Sequence, residues 1–185
     1  MIRPIYLYGS KVLRKVAKPA DLANKEEIKQ LVTDLKDTLA ASEGCGLAAP
    51  QIGESTRVVI VEGDIMKDVY PYLAGFRRTF VNPVIIEESE ERTVYSEGCL
   101  SVPGIYCDVS RPKKIKVEYY DENLEKHTEV FDNFAARMIQ HEFSHLEGEL
   151  FTDLVAPIRR KILAAKLYKI SAGKTATRYQ SKLKK

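Results

Sequence analysis

The amino-acid sequence predicts an α+β domain, with antiparallel or mixed β-sheets packed around a central helix and a further helix near the C-terminus. Three observations carry that expectation. Apolar residues recur at helical spacing in three separated stretches. Short runs of strand character are grouped between the first and second of these stretches rather than alternating with helices. The chain, with 185 residues, 44% hydrophobic and 30% charged, is long enough for one domain with a sizeable core.

The first helix is expected from about Lys25 to Ser42, with Ile28, Leu31, Val32, Leu35 and Leu39 on one face. Asn24 and Glu27 stand at the spacing of a capping box, and Gly44 and Gly46 break the helix and open a loop. Arg57–Val61 is a continuous apolar run of strand length. Thr79–Val81 and Val84–Ile86 flank Asn82-Pro83, and Pro83, which cannot donate to a ladder, belongs at an edge or a bulge. Lys114–Tyr119 alternates polar and apolar, and Asp121-Glu122-Asn123 can turn it into Glu125–Phe131 as a hairpin. A second helix follows Asp132 and runs to about Glu147, with Gly148 as its stop. A third begins at Pro157, a residue suited to a first helical position. Its stripe is Ile158, Ile162, Leu163, Leu167 and Ile170, and Gly173 can end it. Tyr70–Arg78 reads as a loop with no assigned role.

Charge is unevenly placed. From Pro157 to Lys185 there are ten Lys or Arg and no Asp or Glu, which leaves 19 of the 29 basic residues against all 26 acidic ones upstream, a net −7. An acidic body with a basic tail fits either an acidic or nucleic-acid-bearing partner or a solvated helix face. The start of the chain, Met1-Ile-Arg-Pro-Ile-Tyr6, lacks the apolar run of a secretory signal, and no apolar stretch approaches the length of a membrane span. Three cysteines, an odd count, argue against a disulfide framework. A cytoplasmic location is expected, where thiols stay free to bind metal.

His141-Glu142-Phe143-Ser144-His145 is H-E-x-x-H within the second helix. Residues four apart share a helical face, so both imidazoles can address one ion, with Glu142 placed as general base beside a bound water. Two surface histidines would be the bland alternative. Against it, two of only three histidines lie here, and Phe134 and Met138 make the same side apolar. A catalytic site needs a third protein ligand and an open position. Gly148 matches an extended zinc-protease pattern, but Phe151 stands where that pattern has a third histidine, and no acid follows Asp153. His127 precedes the helix and reads as a surface residue. The third ligand therefore comes from upstream, and a thiolate from Cys45, Cys99 or Cys107 is the natural candidate. Each could equally be a small buried hydrophobe. Cys99 follows Gly98, which lets the backbone approach an ion, and has Glu97 and Ser101 beside it to orient ligands.

Gly44-Cys-Gly-Leu-Ala-Ala-Pro-Gln51, Glu97-Gly-Cys-Leu-Ser101 and Gln140-His-Glu-Phe-Ser-His145 resemble, in order, the three signature motifs of peptide deformylases. The likeness runs from Tyr8–Arg14 through Phe151-Thr-Asp153, and the Glu-Gly-Cys-Leu-Ser form is similar to the group found in many bacteria and in organelles. The resemblance implies a metallohydrolase that removes the N-formyl group from formylmethionine on new polypeptides and releases formate. It implies Cys99, His141 and His145 as ligands of the central metal-binding helix and its partner loop. Glu142 would be the proton carrier, and Gln51 and the backbone N–H of Leu100 the oxyanion donors. An extended peptide would lie beside Gly44–Gly46 and the Glu97-Gly98 segment. Cys45, Leu100 and Met138 are candidates to line the methionine pocket, and ordinary core packing is an equal reading for Met138.

Ligand type alone reads as zinc. The resemblance implies Fe2+, with Zn2+, Ni2+ or Co2+ as occupants after purification. One departure stands out. The family usually has Asp where this chain has Ser144, so an ion pair to an arginine such as Arg111 is expected to be lost, at some cost in rate. Residues 1–173 are expected to form a single catalytic domain, and 174–185 a basic tail without fixed structure. The tail is a candidate for docking on the ribosome. Two other readings compete: a zinc peptidase cutting internal bonds, disfavoured by the unfilled third-ligand positions, and a binding module without catalysis, disfavoured by a complete set of ligands and base.

Overall fold

The structure is a computed structural model that describes residues 1–184. Lys185, the last residue of the expected tail, lies outside the described residues. In chain order the elements are β1 (Ile5–Tyr6), α1 (Lys25–Ala40), β2 (Gly46–Ala48), β3 (Val58–Glu62), β4 (Arg77–Glu88), β5 (Arg92–Cys99) and β6 (Val102–Pro112). They continue with β7 (Lys114–Tyr120), β8 (Lys126–Asp132), α2 (Asn133–Leu146), α3 (Pro157–Ser171) and β9 (Ser181–Lys182). Five strands form an antiparallel sheet in the order β2-β3-β4-β7-β8, while β5 pairs with β6 and β1 pairs in parallel with β9. The α+β architecture is as the grouping of strands predicts.

The continuous apolar run of β3 has its explanation in burial on both faces. Val58 and Ile60 pack with Ile28, Val32, Leu35 and Leu39 of α1. Val59 and Val61 face the other way and pack with Ala136, Met138, Ile139, Phe143 and Leu146 of α2. A third core lies under the β5-β6 hairpin, where Val102, Ile105 and Val109 meet Phe151 and Leu163, Leu167 and Ile170 of α3. Helix α2 is thus wedged between sheet and hairpin, and every residue from Ala135 to Leu146 is buried. This position makes it the central helix.

Asn82 and Pro83 do not separate two strands. They form a bulge inside β4, with a register shift between Val81 and Val84 against β7. Asn82 adopts φ +50°, which its short polar side chain tolerates, and that side chain bonds the Ala20 backbone through both its oxygen and its nitrogen, at 2.7 and 3.0 Å.

Four details differ from the sequence reading. Asn24 caps no backbone N–H; its amide donates instead to Glu27 Oε2. The β5-β6 hairpin had no counterpart among the expected strands, because its residues alternate without a sharp turn signal. The stripe of α3 splits: Leu163, Leu167 and Ile170 are buried, but Ile158 and Ile162, on the neighbouring row, are 72% and 65% exposed. Finally, residues 174–184 return to the body, with Ile5 N donating to Gln180 O and Leu7 N to Lys182 O, both at 2.9 Å. A backbone ladder orders a segment whose side chains are mostly polar, and composition carries no sign of that.

Candidate metal centre

One turn of α2 carries His141 and His145, and the end of β5 carries Cys99. Their donor atoms all lie within 4.8 Å of one another. Cys99 Sγ is 3.3 Å from His145 Nε2, and the two imidazole planes are nearly perpendicular, at 78°. Both histidines are buried and Cys99 is half-buried. Burial alone depresses an imidazole. It does so for His145, aided by His141 and Arg111. For His141 burial is outweighed by Cys99 and Glu97, which raise it to about 10. Surroundings that draw positive charge onto His141 also favour a divalent cation among these donors, and a thiolate with two imidazoles suits a transition metal. Glu142 adds a second sign: its Oε2 is buried with no hydrogen-bond partner among the described residues. Burial pushes this carboxyl up to about 7. A buried carboxylate oxygen aimed at nothing is costly unless a ligand completes it, so the residues present fit a metal ion and its water.

The ligands are held from behind. Glu97 Oε2 is 2.8 Å from His141 Nδ1, which fixes the ring so that Nε2 points at the cluster. Two arginines clamp the same carboxylate: Arg111 bidentate at 2.7 and 3.0 Å, and Arg137 at 2.6 Å. Burial works to raise Glu97, but the bonds from His141 and Arg111 prevail and hold it well below the usual carboxylate range. Glu97 was expected both to orient ligands and to lie beside the substrate. Its carboxylate oxygens are taken by Arg111, Arg137 and His141, so the side chain serves the ligand, while the residue also lines the cleft. Ser144 Oγ accepts from Arg111 Nη1 at 3.0 Å, so the contact to Arg111 survives as a neutral hydrogen bond. Arg137 was missed by the sequence reading. A charged side chain four residues before His141 on a buried helix face must find a partner, and that spacing was the available signal.

Gln51 sits in the short 3-10 turn Ala49–Ile52 and is buried. Its Oε1 accepts from Ala48 N at 2.8 Å, while Nε2 faces Ser101 Oγ at 3.1 Å and Cys99 Sγ at 3.5 Å. The cleft above has a volume of about 470 Å³, and Gly44, Cys45, Gly46, Gly98, Leu100 and Met138 line it together with Gln51, Cys99, His141 and Glu142. Ile65 and Met66, close to the Tyr70–Arg78 segment, and two aromatic rings, Tyr106 and Tyr179, also line it; none of these four had a sequence signal. Met138 is buried in the core and also lines the cleft. Cys45 is kept a neutral thiol, since burial pushes it up to about 12. His127 lies apart on β8, bonded to Asp121 at 2.9 Å and stacked on Tyr119.

The sequence model of the family described as Polypeptide deformylase matches residues 2–161 and stops within α3. A curated peptide deformylase of Christiangramia forsetii is 41% identical over 187 aligned positions, covering 97% of this chain and 95% of that one. Another, from Cytophaga hutchinsonii, is 39% identical over 98% of this chain and 97% of its own length. Among solved structures, a peptide deformylase from Plasmodium falciparum superposes with a TM-score of 0.82 at 32% identity, over 91% of this chain and 95% of that one. A peptide deformylase from Legionella pneumophila superposes with 0.80 at 35% identity, over 93% and 96%.

Proposed function

The chain belongs to the peptide deformylase family and is a hydrolase that removes the formyl group from the N-terminal formylmethionine of nascent peptides, and on that premise we propose how its own residues divide the work. Cys99, His141 and His145 hold one divalent ion, with Fe2+ as the resident metal and Zn2+, Ni2+ or Co2+ as replacements. Held there, such an ion would supply Lewis acidity and make hydroxide available near neutral pH. The observation that carries this reading is the convergence of the three donors beside the unpartnered Glu142 Oε2.

Glu142 accepts a proton from the attacking water. As that oxygen adds to the formyl carbon, negative charge grows on the carbonyl oxygen, and Gln51 Nε2 and the Leu100 N–H donate to it. The carbon–nitrogen bond then breaks, formate leaves, and Glu142 returns the proton to the amine. The peptide lies extended between β2, the edge strand of its sheet, and β5, whose outer side pairs with no strand among the described residues. Pairing through the main chain suits an enzyme that meets many sequences. Gly44, Gly46 and Gly98 border that path, and Cys45, Leu100 and Met138 receive the methionine side chain.

The catalytic domain is residues 1–173, with the tail returned to it through β9, and it works in the cytoplasm. No helix among the described residues is long and apolar enough to cross a membrane. The basic face of α3 and the tail, with Arg159, Lys166 and Lys174, supply a docking surface for the ribosome. Loss of the tail charges should weaken ribosome co-sedimentation most at low salt. The deciding experiment is metal content under anaerobic conditions paired with formate release from a formyl-Met peptide. Folded protein with stoichiometric iron or nickel and no formate release refutes the assignment of residues.

A further inference from the structure

We infer that Tyr179, carried back to the cleft by the C-terminal tail, is a positioning residue for deformylation, acting on both oxyanion donors through the Leu100-Ser101 turn. The inference rests on the proposed roles of Gln51 and Leu100.

The turn itself is exposed to error. Cys99 pairs with Val102, so Leu100 and Ser101 are the two central residues of a tight hairpin loop. The peptide between two such residues is the one whose orientation distinguishes turn types, so it is the one free to flip. Its carbonyl is Leu100 O, and Tyr179 Oη donates to it at 2.5 Å. A flip would break that bond. It would also change φ of Ser101 and swing Ser101 Oγ, the acceptor that holds Gln51 Nε2 at 3.1 Å. One hydroxyl therefore restrains the backbone next to the Leu100 N–H and, through Ser101, the Gln51 amide.

Tyr179 is not in the cleft by chance of a loose end. Parallel pairing of β9 with β1 fixes Ser181 and Lys182, Ile5 N donates to Gln180 O, the residue after Tyr179, at 2.9 Å, and Lys184 N bonds Ser10 Oγ at 3.1 Å. Tyr8 N, just past β1, donates to Ser101 O at 2.7 Å. The tail, the N-terminal segment and the turn thus form a closed circuit of hydrogen bonds, with Tyr179 crossing it directly. The Tyr179 ring is half-buried, packs against the core beneath α1 and forms one wall of the cleft. The tail's share of this circuit, from Tyr179 to Lys184, lies beyond residue 161, where the family match ends.

The test uses the full-length, metal-loaded protein and the variants Tyr179→Phe, Gln51→Ala, their double, and Tyr168→Phe as an exposed-tyrosine control on α3. Tyr179→Phe keeps the ring and should lower kcat about 5- to 10-fold while KM for a formyl-Met peptide stays within about twofold. Amide hydrogen exchange in the segment around Leu100 and Ser101 should quicken in Tyr179→Phe and not in Tyr168→Phe. In the double variant the loss should be less than the product of the single losses, because both act on one donor. Wild-type kcat and unchanged exchange in Tyr179→Phe, or losses that multiply in the double, would overturn the inference. Absence of formate from the wild-type protein would instead overturn the reading of the site on which it rests.

Discussion

A Cβ placed on Gly46 would lie 2.6 Å from Oε1 of Glu142 and 2.8 Å from its Cγ and Cδ. Glycine is therefore required at the edge of β2 by a side chain on α2, although the two positions are 96 residues apart in sequence. Gly46→Ala forces Glu142 away from the cluster without touching a metal donor. Formate release should fall about 10²- to 10⁴-fold, the range associated with loss of a positioned proton carrier. Metal content, measured on the same sample, should stay stoichiometric; loss of the metal would show that Glu142 position is not the cause.

Glu97→Gln removes the charge that orients His141 and leaves Arg111 and Arg137 buried without their counter-ion. Metal affinity should drop about 10- to 100-fold, read by competition with a chromophoric chelator. Thermal unfolding should report a destabilisation of about 3–5 kcal/mol, the usual result of breaking a buried pair on one side. A variant with unchanged affinity would mean that the Glu97–His141 bond does not orient the ligand.

Ser144→Ala deletes an acceptor for Arg111 Nη1 and a donor to Gln140 O, both 3.0 Å away. Leaving these buried groups short of a partner should cost about 1–3 kcal/mol in denaturant unfolding. Since Glu97 still grips Arg111 bidentately, formate release should change by less than about tenfold. A larger loss would assign Ser144 a more direct part in holding the ligands.

Asp153 offers a pH signature away from the cluster. Burial acts to raise it, but the bonds from Arg14 and from Leu150 N prevail, and it lies below its ordinary 3.8. A depressed folded value stabilises the protein above the unfolded pKa, and that contribution disappears as pH falls through the folded one. Wild type should therefore lose about 1 kcal/mol from this pair as the pH drops below about 4. Asp153→Asn should show a shallower acid limb in stability measured against pH. Parallel limbs for the two proteins would remove Asp153 from the account of acid sensitivity.

Metal binding should stabilise the fold in proportion to occupancy. Adding Ni2+ to chelator-treated protein at a hundredfold excess over Kd should raise unfolding free energy by about 2.7 kcal/mol. Cys99→Ser should abolish the increment and Cys107→Ser should not, since Cys107 is buried in the hairpin core. Equal behaviour of the two variants would place the third donor elsewhere.

Much of this molecule is legible in one dimension because its information is local. Helical spacing marks α1, α2 and α3, and alternation marks β7 and β8. The H-E-x-x-H pattern puts His141 and His145 on one face because an α-helix repeats every 3.6 residues, whatever surrounds it. The three motifs then name Cys99 and Gln51 through resemblance. Other features have no local signature. Whether Glu97 touches substrate or His141 depends on Arg111 and Arg137 reaching it from β6 and α2. Whether Ile158 or Leu163 is buried depends on where the hairpin lies against α3.

By itself the sequence determined the α+β class, the helix that presents two imidazoles, the glycine-rich segments and the family. Only the tertiary structure decided that Glu97 serves His141, that Gly46 makes way for Glu142, and that a basic tail returns to set Tyr179 on Leu100. The physical reason is one of range. Periodicity and motifs report forces between near neighbours along the chain, whereas ion pairs, steric clearance and ladder hydrogen bonds act over a few ångströms between residues that only folding brings together.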